Sequence, residues 1–258
     1  MEGFDFSGQA VLVTGASSGI GLAVARAFAR AKADLTILAI DAGIEDAGRR
    51  IGQDCGRRIA TIQCDVADRE AVVRCLAPLK RIDVLVHNAG LELITPIEEP
   101  GDKTEADFRR VIDVNLMGSF YVTRHALSRM PDGSRIVYTA STYAKTAVAL
   151  MNAYCASKHG LVGMMRSLAF ELGHRKICVN AICPGWVKTD QSMRSVSVIA
   201  EQTERSLEVL TSELLSKQAL GGMLMPDDVA GAYLFLASQY AKDITGQTLH
   251  VDRGEVMD

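Results

Sequence analysis

Short apolar runs alternate with stretches of helical periodicity along most of the chain, and this alternation restricts the possible folds more than any other feature of the sequence. Parallel strands need long crossover connections, which are usually helices, so repeated strand–helix–strand units predict a parallel sheet with helices on both faces. The expected strands are Ala10–Thr14, Leu35–Ile40, Ile59–Cys64, Val84–His87, Arg135–Thr139, Cys178–Ile182 and Thr248–Val251. The expected helices are Ile20–Arg30, Ile44–Asp54, Arg69–Leu79, Glu105–Met130, Ala153–Gly173 and Asp227–Ser238. Right-handed crossovers then give an α/β chain with a doubly wound parallel sheet of about seven strands, a Rossmann fold.

The interval from Trp186 to Met225 interrupts this alternation. Its roughly forty residues exceed the usual length of a loop inside a compact domain. Long insertions at the carboxyl end of a parallel sheet are typical of binding loops, so a substrate lid is expected at about 186–225, with a surface helical excursion as the alternative. No change of composition and no repeat divides the rest, so residues 1–258 are expected to form a single Rossmann-fold domain.

The charged residues are nearly balanced, with 28 Lys and Arg against 31 Asp and Glu and a net charge of −3. Without a basic excess, no nucleic-acid or anionic-membrane partner is expected. No signal peptide is recognised, and no apolar run approaches the roughly 20 residues of a membrane span. The six cysteines form no Cys-x-x-Cys pair, so neither a disulfide framework nor a metal site is expected. These features predict a soluble, cytoplasmic protein.

A glycine-rich turn separates the first expected strand from the first helix. Gly15, Gly19 and Gly21 follow Thr14 in the spacing Gly-x-x-x-Gly-x-Gly. Glycine lets the backbone approach a ligand closely, and the free N–H groups at a helix start attract a pyrophosphate. Nucleotide binding is therefore predicted, with a simple chain reversal as the alternative.

The end of the second expected strand bears on the choice of nucleotide. The ribose-binding acid is expected at position 39, which is occupied by Ala39. Asp41 follows the strand two residues further on. A carboxylate here can accept hydrogen bonds from ribose hydroxyls, and no Lys or Arg occupies positions 17, 18, 39 or 40. This pattern favours NAD over NADP, with Asp41 as an ordinary solvated turn residue as the alternative.

Tyr154 and Lys158 lie four residues apart on an expected helix, and therefore on one face of it. An ammonium beside a phenol lowers the pKa of the phenol, which suits a general acid–base. Ser141 and Asn88 each follow a strand, whereas Asn115 lies within an apolar helical stretch and needs a buried partner. Each residue also has a purely structural interpretation, in which Tyr154 and Lys158 are a surface pair. In the same interpretation Ser141 is a helix cap, Asn88 belongs to a turn and Asn115 makes a core hydrogen bond.

Taken together, these motifs resemble the short-chain dehydrogenase/reductase family. The features in the family's order and spacing are Thr14-Gly-x3-Gly-x-Gly, Asn88-Ala89-Gly90, Asn115, Ser141, Tyr154-x3-Lys158 and Pro184-Gly185. The stretch 141–160 is most similar to ketoreductases that act on acyl or polyketide chains. Three features depart from the family pattern: His87 stands where Asn is usual, Arg253 stands where Gly is usual, and the acid that selects the cofactor is displaced or absent at Ala39.

The resemblance implies an NAD(P)-dependent oxidoreductase that interconverts a secondary alcohol and its ketone by hydride transfer, assembled as a homotetramer. Tyr154 would be the catalytic acid–base, Ser141 would orient the substrate oxygen, and Lys158 would bind the nicotinamide ribose. Asn115 would anchor a water molecule in a proton relay. The implied cofactor contacts are Gly15, Ser17, Ser18, Ile20, Gly21, Asp41, Asp65, Val66, Asn88, Gly90, Tyr154, Lys158, Pro184, Gly185, Val187 and Thr189.

The expected substrate contacts are Ser141, Asn152, Tyr154 and Trp186, near Glu92 and the Met- and Val-rich stretch from Met193 to Met225. That mixture favours a small, moderately apolar hydroxy or keto compound, such as a 3-hydroxyacyl compound or a cyclic alcohol. Two alternatives stay open at this point: a sugar or polyol dehydrogenase of the same family, and a non-catalytic regulator that senses a dinucleotide. Asp65 could likewise be ordinary loop polarity rather than an adenine contact.

Overall fold

A computed structural model describes residues 3–257. Its strands are β1 (Ala10–Thr14), β2 (Asp34–Ala39), β3 (Ala60–Gln63), β4 (Val84–His87), β5 (Arg135–Thr139), β6 (Cys178–Pro184) and β7 (Thr248–Val251). Its α-helices are α1 (Gly19–Arg30), α2 (Gly43–Cys55), α3 (Arg69–Leu76), α4 (Lys103–Ile112), α5 (Ser119–Ala126), α6 (Asn152–Glu171), α7 (Asp190–Gln202), α8 (Leu207–Ser216) and α9 (Pro226–Ala237).

Within residues 3–257 the strands form a seven-stranded sheet in the order β3-β2-β1-β4-β5-β6-β7, and every neighbouring pair is parallel. The chain winds outward from β1 to β3 and then returns to the other side of β1 with β4. Loops that leave β1 and β4 therefore diverge at the carboxyl edge of the sheet and open a crevice between them. The predicted α/β Rossmann fold with a doubly wound parallel sheet is confirmed.

The sheet separates two hydrophobic cores because successive side chains of a strand point to opposite faces. Val11 and Val13 of β1 contribute to one core, with Phe28 of α1 and residues of α9. Leu12 contributes to the other core, with residues of α3, α5 and α6, such as Leu161. The central strands are buried on both sides, which explains why their sequences are continuous apolar runs rather than alternating ones.

The predicted helix Glu105–Met130 is interrupted in the structure. A π-helical turn, Asp113–Gly118, lies between α4 and α5, and a 3₁₀ turn, Leu127–Arg129, follows α5. π-Helical turns change which residues of a helix face inward and are frequent at functional sites. Strand β6 also continues to Pro184, beyond the predicted end at Ile182, because Pro184 still pairs with Val251 of β7. The other boundaries differ from the predictions by no more than three residues.

The interval between β6 and α9 contains α7 and α8. Thr189 begins α7 with a capping box, in which its side chain accepts a hydrogen bond from the backbone of Ser192. The two helices pack on each other in a small apolar cluster of their own, which is built on Val196, Ala200 and Leu210. The predicted lid corresponds to these helices, and its movement stays a prediction. No helix among residues 3–257 has the length and apolar character needed to cross a bilayer.

Candidate active site

A cavity of about 800 Å³ lies at the carboxyl edge of the sheet. One end is formed by the turn after β1 and by the ends of β2 and β3, near Asp41 and Asp65. The other end is formed by the start of α6 and by α7 and α8, near Tyr154 and Trp186. The cavity is therefore a long cleft across the point where the strand order reverses, the usual ligand site of such sheets.

The glycine-rich turn packs directly against the loop that follows β4. A Cβ atom on Gly15 would lie 2.6 Å from the Cα of Ala89, and one on Gly21 would lie 2.1 Å from the carbonyl oxygen of Gly15. The side chain of Asn88 donates a hydrogen bond of 3.0 Å to that same oxygen, and Thr14 Oγ1 accepts bonds from the backbone N–H groups of Asn88 and Ala89. Glycine at these positions is therefore required by close packing as well as by the positive φ of +65° at Gly15.

The start of α1 fits a phosphate group. Ser18 precedes the helix in an extended conformation, but its side chain makes no capping hydrogen bond. Ser17, Ser18, Gly19 and Ile20 line the cavity. The uncapped N–H groups and the helix dipole therefore face a space where an anion can be held by the backbone alone.

Two carboxylates mark the far end of the cleft. Asp41 accepts hydrogen bonds from the Ser17 hydroxyl, at 2.7 Å, and from the backbone N–H of Gly43, at 3.0 Å. Asp65 forms an ion pair of 2.8 Å with Arg110. The charge of Arg110 is thus already matched, whereas the hydrogen bonds of Asp41 come from neutral groups.

Three of the predicted catalytic side chains meet at the other end of the cleft. The Lys158 ammonium lies 5.4 Å from the centre of the Tyr154 ring and donates a hydrogen bond of 2.8 Å to the carbonyl oxygen of Thr139. Ser141 follows β5, accepts a hydrogen bond from the backbone N–H of Tyr143, and forms a side-chain hydrogen bond with Tyr154. The carboxyl end of β5 and the first turns of α6 therefore bring a hydroxyl, a phenol and an ammonium together. The proximity of the phenol and the ammonium is predicted by the four-residue spacing of Tyr154 and Lys158.

The electrostatics of Tyr154 differ from the prediction. Burial raises the pKa of Tyr154 well above its usual range, the negative charge of Glu92 raises it further, and the hydrogen bond with Ser141 lowers it. The lowered pKa expected from the neighbouring Lys158 is not found, because desolvation dominates. The Tyr154 phenol is therefore neutral and able to donate a proton.

Lys158 is itself buried, and burial lowers its pKa to about 8, although the negative charge of Glu92 opposes this effect. An ammonium in an apolar environment lacks the water that stabilises its charge. The same cavity end therefore holds a neutral acid and a base whose proton is held weakly.

Asn115 lies in the π-helical turn, one layer behind the cavity surface. Its side-chain oxygen accepts a 2.7 Å hydrogen bond from the N–H of Leu91, and its side-chain nitrogen donates to the Leu91 carbonyl and to the Ser157 hydroxyl, both at 2.9 Å. The predicted need for a buried partner is confirmed. The amide holds the loop after β4 against α6, and the proposed water-anchoring role stays a prediction.

Most of the predicted contacts reach the cavity. The predicted cofactor contacts that line it are Gly15, Ser17, Ser18, Ile20, Asp41, Asp65, Val66, Asn88, Gly90, Tyr154, Lys158, Pro184, Gly185, Val187 and Thr189. Gly21 instead packs behind the turn. Ser141 and Trp186 line the substrate end, but Asn152 turns away and binds Thr95 through both polar atoms of its amide.

Two cavity residues carry no signal in the sequence. Tyr143 follows Ser141 in a short 3₁₀ turn, and Glu255 lies beyond β7 in the C-terminal segment. Burial raises the pKa of both side chains. Neither belongs to a recognisable motif, and only the folded chain brings Glu255 to the site.

His87, the departure from the family pattern, belongs to the core. Its Nε2 atom lies 2.8 Å from the Thr123 hydroxyl, and its ring stacks on Tyr138 with 4.5 Å between ring centres. Burial lowers the pKa of His87 to about 3, so the imidazole is neutral. Among residues 3–257, the six cysteines form no disulfide bond, and no cluster of three or more potential metal ligands occurs.

Comparisons with known proteins agree with this geometry. A family model described as "Enoyl-(Acyl carrier protein) reductase" matches residues 15–255. The 3-oxoacyl-(acyl-carrier-protein) reductase FabG of Rickettsia bellii is 34% identical over 255 residues, which cover 98% of this chain and 99% of the relative. The D-beta-hydroxybutyrate dehydrogenase of Cupriavidus necator is 34% identical over 262 residues, with 97% of this chain and 98% of the relative covered.

A solved structure shares the whole fold. It is a putative NAD(P)-dependent gluconate 5-dehydrogenase from Beutenbergia cavernae with bound NADP, 34% identical to this chain with a TM-score of 0.85, and 98% of each chain is covered. The strand order, the cavity and these similarities support the same assignment. The chain belongs to the short-chain dehydrogenase/reductase family of NAD(P)-dependent oxidoreductases.

Proposed function

We propose that this protein interconverts a secondary alcohol and its ketone, with a moderately apolar hydroxy or keto compound as substrate. The observation that carries the proposal is the group formed by Tyr154, Ser141 and Lys158 at one end of a cleft whose other end has an uncapped helix start. A pure dinucleotide sensor would need the second feature but not the first.

Each residue has a separate task in this reaction. A bound nicotinamide cofactor supplies or accepts the hydride. In the direction of reduction, the neutral Tyr154 phenol donates its proton to the substrate oxygen, and Ser141 holds that oxygen within reach. Lys158 would hold the ribose of the bound cofactor, and the phenol recovers its proton from solvent after each turnover. Oxidation of the alcohol reverses these proton movements.

A 3-hydroxyacyl or cyclic substrate is favoured by the surface of the cavity near Tyr154. Apolar side chains cover much of it, among them Leu150, Met151, Trp186 and Ile199. The name of the Rickettsia bellii relative describes a 3-oxoacyl substrate, which shares this character. A sugar or polyol is the second candidate, because Glu92 and Tyr143 add polar groups to the same surface.

Substitution of Tyr154 by Phe tests the proposed chemistry. Turnover of the best substrate in a panel of 3-oxoacyl thioesters, cyclic alcohols and polyols should fall by about 10²- to 10⁴-fold, the usual contribution of a general acid–base. The affinity for the cofactor, measured by NADH fluorescence, should change by no more than a few-fold. Tyr240→Phe is the matched control, because Tyr240 is 66% exposed and packs on Phe4. Undiminished turnover in Tyr154→Phe would refute the assignment.

We propose NAD as the preferred cofactor. A 2′-phosphate would bring a second negative charge to the end of the cleft that carries Asp41, where Arg110 is already paired with Asp65. Comparison of kcat/KM with NADH and NADPH tests this preference. Asp41→Asn should improve kcat/KM with NADPH roughly tenfold, the effect of removing about 1.4 kcal/mol of repulsion. A strong preference of the wild type for NADPH would contradict the proposal.

The remaining expectations concern assembly and access. We propose that α7 and α8 act as a lid over the substrate end and that the protein assembles as a cytoplasmic homotetramer. The packing of α7 and α8 on each other supports a lid that moves as one piece. Sedimentation velocity tests the tetramer, and hydrogen exchange of α7 and α8 with and without ligands tests the lid.

A further inference from the structure

Glu92 is a carboxyl group at the reacting end of the cavity that the proposed proton transfer does not use. It follows β4 by five residues and lines the same cavity as Tyr154 and Lys158. Its negative charge acts on both of these side chains, raising the pKa of each. The Glu92 carboxyl group therefore lies close to the place where the substrate oxygen must bind.

The backbone next to Glu92 is held rigidly. The Asn115 amide binds both the N–H and the C=O of the preceding residue, Leu91, and also bonds to Ser157 of α6. These three contacts connect the loop that carries Glu92 to the helix that carries Tyr154. Since the loop and the helix cannot easily shift relative to each other, the position of Glu92 relative to the phenol is preorganised.

The groups around Glu92 stabilise its charged form only in part. Burial raises its pKa, while a side-chain hydrogen bond with Ser195 of α7 and the charge of Lys158 lower it. The neighbouring phenols of Tyr154 and Tyr143 both sense its negative charge. Glu92 therefore lines the cavity with its side chain bonded to Ser195, where a hydrogen-bond donor of a ligand can also reach the carboxylate.

A second carboxyl group, that of Glu255, adds negative charge to the same cavity. Glu255 also lines the cavity, and its charge raises the pKa of the Tyr143 phenol. Lys217 offsets the charge of Glu255. The charge of Lys158 lowers the pKa of Glu92, and one hydrogen bond of the Lys158 ammonium goes to the Thr139 carbonyl.

We propose that Glu92 determines substrate specificity. It selects alcohols or ketones that carry a hydrogen-bond donor, such as a hydroxyl or an amine, near the reacting carbon. It disfavours substrates that carry a carboxylate at that position. This inference rests on the proposed function and deepens it. A donor group can bond to the carboxylate and replace the water lost on binding, whereas an anion would meet a like charge. Neutral or cationic hydroxy compounds are therefore expected to be better substrates than 3-hydroxy acids of the same length.

Three probes with the same carbon skeleton test this inference. Butane-1,3-diol, 3-hydroxybutyrate and 4-methoxybutan-2-ol share the secondary alcohol and differ at the terminal group, which is a donor, an anion or an acceptor. The wild type should oxidise the diol with a kcat/KM roughly ten- to a hundredfold above that of either other probe, the range expected for a hydrogen bond to a charged group. Where turnover is too slow, the same ratios are obtained from inhibition constants against the best substrate of the panel.

Two variants of Glu92 separate charge from hydrogen bonding. Glu92→Gln removes the charge and keeps an accepting oxygen, so the preference for the diol over 3-hydroxybutyrate should fall at least tenfold while the preference over the methyl ether persists. Glu92→Leu should abolish both preferences. The affinity for the cofactor should stay within a few-fold of that of the wild type, which a general structural defect would not allow. Glu98→Gln, an exposed change six residues along the same loop, is the control.

The outcomes distinguish this inference from the proposed function. Ratios in Glu92→Gln and Glu92→Leu within twofold of the wild-type ratios would overturn the role of Glu92, and so would a wild type that prefers 3-hydroxybutyrate. Absence of turnover with every substrate of the panel, in a protein that binds the cofactor, would instead count against the proposed function.

Discussion

The buried Lys158 makes a prediction about stability that can be worked from the structure. Its side chain is only 4% exposed, and its pKa is lowered from 10.5 to about 8 because burial disfavours the charged form. In the unfolded chain the same amine is solvated and keeps its proton up to a higher pH. Between pH 8 and 10.5 the unfolded state therefore binds more protons than the folded state, so stability rises with pH across this range.

The magnitude follows from the difference between the two pKa values. Each unit of difference corresponds to about 1.4 kcal/mol. Between pH 7 and pH 10, Lys158 should add roughly 2 to 3 kcal/mol to the free energy of unfolding of the wild type. Lys158→Met lacks this contribution, so the stabilities of the wild type and the variant should diverge by that amount as the pH rises.

Urea unfolding of both proteins at pH 7, 8, 9 and 10 measures this divergence. The comparison uses the change with pH rather than the absolute stability, because Lys158→Met also leaves the Thr139 carbonyl without its hydrogen bond. Lys242→Met is the matched control, since the Lys242 side chain is exposed. Curves for the wild type and Lys158→Met that stay parallel from pH 7 to pH 10 would refute the reasoning.

Two further predictions concern residues next to the site. Gly21→Ala should lower the free energy of unfolding by about 1 to 3 kcal/mol and weaken cofactor binding, because its Cβ would lie 2.1 Å from the Gly15 oxygen. Urea unfolding measures the first effect and NADH titration the second. A variant with wild-type stability and affinity would contradict the packing argument. His87→Asn should leave kcat/KM unchanged and should reduce the loss of stability in acid. The pKa of His87 is about 3 in the folded state, below the value of 6.5 expected for the unfolded chain, so the unfolded state binds the proton first as the pH falls. His87 therefore lowers the free energy of unfolding of the wild type by about 2 kcal/mol between pH 7 and pH 5. Equal pH dependence in the two proteins would exclude this.

The strands and the phosphate-binding turn could be predicted because their signals are local. Ala10–Thr14 and Val84–His87 are apolar up to their last residue, since parallel strands in this sheet are covered on both faces. The π-helical turn at Asp113–Gly118 could not be predicted, because the apolar periodicity of the sequence continues through it and its hydrogen bonds to Leu91 and Ser157 come from distant segments.

The site residues also divide into features that follow from local sequence and features that depend on distant segments of the chain. Tyr154 and Lys158 share a helix face through their spacing, so their proximity follows from the sequence. The pKa of Tyr154 does not, because it depends on burial and on Glu92 from another loop. Asn152 illustrates a different limit: it lies only two residues before Tyr154, yet its position at the start of α6 directs its amide to Thr95.

A shifted pKa does not by itself identify the active site of this protein. Tyr138 and Tyr233 also have raised pKa values, and both are buried core residues bonded to threonine hydroxyls. His87 is shifted by burial alone. Tyr154 differs because it borders a cavity and senses the charge of Glu92, a carboxyl group that lines the same cavity. The combination of a cavity, a neutral acid and a nearby charge is what a proton-transfer site requires, whereas burial alone produces the same shift in any well-packed core.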